Sequence, residues 1–127
     1  MDKFEDSLKD FYHAESRKEK ELVLLGMTRI AKTYYEWLFI FSFATWQNTH
    51  HKAEKQLVIM ADNVSDLIFL IKNFRLSYEK EDFAIKKALR IANDEDFPEL
   101  ESICREKMVF GLFTKEKLRR SMQRLVG

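Results

Sequence analysis

Hydrophobic positions recur along this chain with the period of a helix rather than the alternation of a strand. Phe4, Leu8, Phe11 and Tyr12 follow an i, i+4, i+7 pattern and predict an amphipathic helix over 2–14. The stretch 15–21 (ESRKEKE) has no apolar residue and reads as a solvated bridge or break, with Ser16 a suitable N-cap for the next helix. From 22 to 49 the pattern predicts one long helix. Its apolar side begins as a single face (Leu22, Leu25, Ile30) and widens to nearly the full circumference over 37–46. A helix that is apolar all round belongs at the centre, with other helices packed on several sides.

The polar patch 47–52 (QNTHHK) predicts a turn. A second long helix comes after it, carried by Leu57, Met60, Ala61, Val64, Leu67, Ile68, Ile71 and Phe74, with Asn63 and Asp66 a place where a new turn could start. Three shorter helices are predicted over about 82–93, 97–110 and 114–126. Pro98 suits a first helical turn, Gly111 a C-terminal stop, and Thr114 the last cap. The expectation is an all-α fold: a single-domain helical bundle over 1–127 with two long central helices and shorter N-terminal and C-terminal ones. No internal repeat, linker or low-complexity tract is read.

Composition narrows the picture. The 127 residues suit one domain, and only 3 Gly and 1 Pro leave too few turn formers for a β-sandwich or barrel. Gly26, Gly111 and Gly127 lie too far apart for a phosphate-cradling loop. Hydrophobic residues at 46%, charged residues at 34% and a net charge of +1 describe a packed chain rather than a disordered one. Eleven Phe predict a bulky aromatic core. The apolar run 37–46 falls well short of the roughly 20 residues that span a bilayer, so membrane insertion is not expected. The charged N-terminal stretch MDKFEDSLKD is unlike a secretory signal, Met1 with no tag-like residues reads as the start of a complete chain, and Cys104 is the one cysteine. Together they give the expectation of a reducing, cytoplasmic location.

Candidate chemistry is sparse. His50, His51 and Glu54 are close in sequence, but adjacent histidines on a helix point about 100° apart, and two ligands do not make a zinc site. A solvated turn is the simpler reading. His13 sits on a polar side without an evident partner, and Cys104 lies on an apolar face as a small hydrophobe. The acidic stretch 94–101 (DEDFPELE) has Glu99 where a calcium loop needs glycine, and Arg105 where it needs its bidentate glutamate. Neither nucleophile-elbow nor metalloprotease motifs occur. No catalytic residue, cofactor, metal or small-molecule substrate is therefore expected, and the chain does not read as an enzyme.

Charge is more informative than any motif. Residues 104–127 carry seven basic groups against Glu106 and Glu116, so 113–126 forms a basic amphipathic helix. Its spacing is similar to what calmodulin-type partners accept. The plainer alternative is a terminal helix with its apolar side on the core and its cations in water. Candidate partner-binding residues are Phe113, Lys117, Arg119, Arg120, Met122 and Arg124 on this helix. Trp37, Phe41 and Trp46 join them from the apolar run, as a surface for self-association. The function this supports is a non-enzymatic protein–protein interaction or assembly module: an adaptor, scaffold or complex subunit that binds another protein or itself as a homo-oligomer. The alternative is nucleic-acid binding through the basic helix 114–126, which the near-neutral net charge disfavours.

Overall fold

A computed structural model describes residues 3–126 and contains, among them, eight α-helices, a single 3-10 turn and no strand. In chain order they are α1 (Lys3–His13), α2 (Arg17–Met27), α3 (Tyr34–Phe43), α4 (Gln47–Met60), α5 (Val64–Asn73), α6 (Tyr78–Ile91), α7 (Phe97–Glu106) and α8 (Phe110–Val126). The 3-10 turn, Asp94–Asp96, leads into α7. Backbone contacts divide the chain into two compact units, 1–60 and 61–127. In the first, α1 packs on α2 and α3 on α4; in the second, α5 packs on α6 and α7 on α8, with α6 also touching both α7 and α8. The connections within these pairs are short, which favours back-to-back packing of neighbours.

The single helix expected over 22–49 does not exist. The Thr28 hydroxyl donates to the Leu25 carbonyl as α2 ends, and Thr33 starts α3 afresh with a reciprocal capping box: Thr33 Oγ1 accepts from the Glu36 N–H, and Glu36 accepts from Thr33 N–H. A second break lies at 44–46, and the stretch 47–52 forms the first turns of α4 instead of a loop. Asn63 likewise splits the second expected helix, its side chain accepting from the Asp66 N–H. These breaks remove both long central helices. The longest helix is α8, whose 17 residues exceed the 14 of α4 and of α6.

The breaks recur. Caps paired with an acid three residues on stand at 33, 63 and 93 (Thr33 with Glu36, Asn63 with Asp66, Asn93 with Asp96), a spacing of 30. The buried triplets of the helices after these caps repeat too: Trp37, Ile40 and Phe41 in α3; Leu67, Leu70 and Ile71 in α5; Leu100, Ile103 and Cys104 in α7. The 3-10 turn sets the third triplet three residues later. Ala53, Leu57, Val58 and Ala61 find counterparts in Ala84, Ala88, Leu89 and Ala92. A helix-pair repeat is therefore present where the sequence pattern suggests none. Its marks are caps and small residues rather than identical side chains.

Two local features complete the frame. The apolar circumference of α3 is explained by two different neighbours. Trp37, Ile40 and Phe41 are buried, while Phe39 and Phe43 meet Phe11 of α1 at ring-centroid distances of 5.3 Å each. At the far end of the chain, α7 stops at Met108 rather than at Gly111. Met108 adopts φ 60°, its N–H donates to Arg105, and the Val109 N–H donates to Cys104, the Schellman pattern. Gly111 and Thr114 then lie inside α8, where the Thr114 hydroxyl bonds the Phe110 carbonyl and caps nothing.

Candidate functional site

The sequence candidates separate sharply by exposure. Phe113 is buried in the second unit, with its ring 5.5 Å from Phe97, and Trp37 and Phe41 are buried in the first. These three serve packing. Trp46 is 38% exposed, at the start of α4, where its N–H and that of Thr45 donate to the buried carboxylate of Glu21. That carboxylate, 2% exposed, faces the N-terminus of α4, where the helix dipole favours an anion. Lys117 and Met122 stand in solvent.

The arginines of α8 differ in their partners, although Arg119 and Arg120 both lie beside the Glu116 carboxylate, at 2.7 and 3.7 Å. Arg119 forks onto Glu116, with Nε at 2.7 Å from Oε2 and an Nη at 2.7 Å from Oε1. This bidentate hydrogen bond holds the Glu116 carboxyl below its usual pKa, against the opposing effect of burial. Arg120 instead turns inward. It donates to the carbonyls of Leu89 at 2.7 Å and Arg90 at 3.2 Å, and its guanidinium lies 4.6 Å from the Phe97 ring centroid. It thus satisfies the open carbonyls at the C-terminal end of α6, where a cation is also favoured by the helix dipole. Arg124 reaches Asp94 at 3.2 Å, an exposed pair of little energetic weight.

Between α6 and α8 these residues border two adjoining concavities. One, of about 300 Å³, is lined by Lys86, Leu89, Arg90, Leu112, Lys115, Glu116 and Arg119. The other, of about 490 Å³, is lined by Arg90, Ala92, Arg119, Arg120, Gln123 and Arg124. Six cations border this groove. The nearby carboxylates are Glu116, Asp82 (paired with Lys86) and Asp94. Among the described residues, the Arg90 and Lys115 side chains have no ion-pair or hydrogen-bond partner. Leu89 and Leu112 give the groove an apolar floor.

Opposite the face that α8 packs inward, Leu118 (60% exposed), Met122 (58%) and Leu125 (87%) form a stripe at i, i+4 and i+7. The helix is therefore apolar on two sides. Sequence reading found the basic helix but missed Lys86, Arg90 and Lys115. Their signal was two basic i, i+4 pairs, Lys86 with Arg90 and Lys115 with Arg119, which matter only once α6 and α8 are brought together.

The remaining candidates resolve simply. His50 stacks on Phe41 at 4.3 Å, and burial pushes its pKa below the usual value. His51 Nδ1 lies 3.9 Å from Glu54. His13 Nδ1 bonds the Lys9 carbonyl at 2.7 Å. Among the described residues no group of three or more His, Cys, Asp or Glu is placed to hold a metal ion. The Cys104 thiol is buried, which raises its pKa and favours the neutral form. Among the described residues, no helix is long and apolar enough to cross a membrane. Comparison with protein-family models, with curated proteins and with solved structures finds no match.

Proposed function

We propose that this protein is a non-enzymatic helical interaction module, an adaptor or complex subunit, whose α6–α8 face binds an acidic amphipathic segment of another protein. The observation that carries this reading is the basic groove with an apolar floor, beside an uncovered apolar stripe on the same helix. A helical ligand needs both parts: apolar anchors at i, i+4 and i+7 to bury, and carboxylates to meet a cationic rim. Charge favours such a partner over a second copy of this face. Two copies of α8 laid against each other would bring Lys115, Lys117 and Arg119 into mutual proximity, a like-charge contact that disfavours association. The proposal includes a cytoplasmic location, consistent with one cysteine held as a thiol.

The test uses the full chain and two designed helical peptides with identical leucine spacing, one bearing glutamates on its flanks and the other lysines. Fluorescence anisotropy should show saturable binding of the acidic peptide only, weakening as salt rises from about 50 to about 300 mM. Equal binding of both peptides, or of neither, contradicts the reading.

Nucleic-acid binding through α8 is the second reading, favoured by the four arginines that border one concavity. It requires that the groove track a line of phosphates. Arg119 and Arg120, however, are committed to Glu116 and to the end of α6. A short DNA duplex that binds more tightly than the acidic peptide at the same salt reverses the order of the two proposals.

A further inference from the structure

We infer that the concavity bordered by Arg90, Arg119, Arg120 and Arg124 is a receptor for a phosphomonoester dianion, carried as a phosphorylated side chain on the acidic partner segment. This deepens the proposed function and rests on it for the identity of the carrier. Four guanidiniums border this volume of about 490 Å³ and no carboxylate lines it. The two acids that engage those guanidiniums, Glu116 and Asp94, leave a local excess of two positive charges. A phosphomonoester above its second pKa of about 6 carries close to two negative charges, whereas each phosphodiester carries one.

Geometry adds to the charge. Arginines from two helices border one concavity, Arg90 from α6 and the other three from α8, rather than forming a row along a single helix. A concavity bordered from two helices suits a single tetrahedral anion, which planar guanidiniums grip through paired N–H donors. The four are not equivalent. Arg120 is held at the end of α6 and Arg119 by its fork onto Glu116, so these two form a fixed wall. Arg90 has no side-chain partner among the described residues, and Arg124 is held only by an exposed pair with Asp94, 69% and 72% exposed. Arg90 and Arg124 are the arms able to close on an incoming phosphate. Gln123 also lines the concavity and supplies a neutral donor there.

The test has two parts, both on the full chain. First, phenyl phosphate is titrated while the arginine Nε–H signals are followed by NMR, with dimethyl phosphate as the monoanionic control. Saturable shifts at Arg90 and Arg124 with phenyl phosphate alone support the receptor; no shift, or equal shifts with both esters, overturns it. Second, the acidic peptide is compared with and without one phosphoserine, against the parent protein and the Arg90→Gln, Arg124→Gln double variant. Phosphorylation should tighten binding about tenfold to the parent protein at pH 7.5. The gain should shrink as the pH falls through about 6 and should largely disappear in the double variant. A gain that persists unchanged in that variant overturns the assignment. If phenyl phosphate shifts both arginines but no acidic peptide binds, the receptor stands and the partner reading fails. If the unphosphorylated peptide binds and phosphate changes nothing, the reverse holds. Binding of a DNA duplex that needs both arginines, without a phenyl phosphate response, overturns the monoester in favour of a phosphodiester.

Discussion

The Arg120 guanidinium donates to the Leu89 carbonyl at 2.7 Å across 31 residues of sequence, and this bond ties the C-terminal helix to the end of α6. Its side chain is 17% exposed and also stacks on Phe97, so it is a packing residue that carries a charge. Arg120→Ala leaves the Leu89 and Arg90 carbonyls without this donor. Urea denaturation should register a loss of about 1.5–3 kcal/mol, and Arg120→Lys should recover only part of it, having no planar fork. Exposed Lys117→Ala should stay within about 0.5 kcal/mol of the parent protein. Equal effects at 117 and 120 would contradict the inward placement.

Met108 occupies the left-handed position of the α7 stop at φ 60° and is 90% exposed, so its side chain gains little to offset the backbone strain. Met108→Gly should stabilise the protein by roughly 0.5–1 kcal/mol. Thermal unfolding would record this as a rise in Tm. A fall would show that α7 does not end in this conformation.

The recurring caps make a paired prediction. Thr33→Ala and Asn63→Ala each remove the side-chain acceptor at a helix start and should each cost about 1 kcal/mol. Thr33 and Asn63 belong to different units, so the double variant should lose the sum within about 0.5 kcal/mol. A strongly non-additive result in chemical denaturation would argue against independent caps.

His50 supplies a pH dependence of definite sign. Burial against Phe41 lowers its pKa from 6.5; Glu54 opposes this, His51 reinforces it and Glu21 opposes it. The unfolded chain takes up the proton first. Stability is therefore complete above about pH 6.5 and is lost as the pH falls through the lower folded value. Replacing the ring by His50→Phe keeps the stack and should flatten this decline below about pH 6.5. Glu116 acts in a lower window: its depressed pKa gives stability above 4.5 that fades as the acid is titrated in the folded state.

The sequence was a good guide to helix content and to the apolar faces, because a period of 3.6 survives even where helices are interrupted. Phe4, Phe11, Leu67, Leu100 and Ile103 are buried where the pattern put them. It failed at the breaks, and for one physical reason. An apolar run gives no sign of stopping when its ending is made by hydrogen bonds of Thr28 and Thr33 rather than by Gly or Pro, whereas Asn63 followed by Asp66 marked its break in the sequence. The Schellman stop at Met108 was hidden in the same way, since glycine is the residue that usually marks that position. The candidate site was half legible. The basic character of α8 is written in its residues, but the division of its arginines into inward Arg120, paired Arg119 and outward Arg124 depends on the distance to α6. The apolar run 37–46 read both as a centre and as a surface, and the structure divides it: α1 and α4 pack on it from two sides, while Phe43 and Trp46 stay partly exposed.

The most direct test of the central claim is methyl NMR of the full chain titrated with the acidic helical peptide. The account predicts shifts at Leu89, Leu112, Leu118 and Met122, with Leu24 and Leu57 of the first unit unmoved. Shifts centred instead on first-unit methyls such as Leu24 and Leu57, or none anywhere, would contradict it.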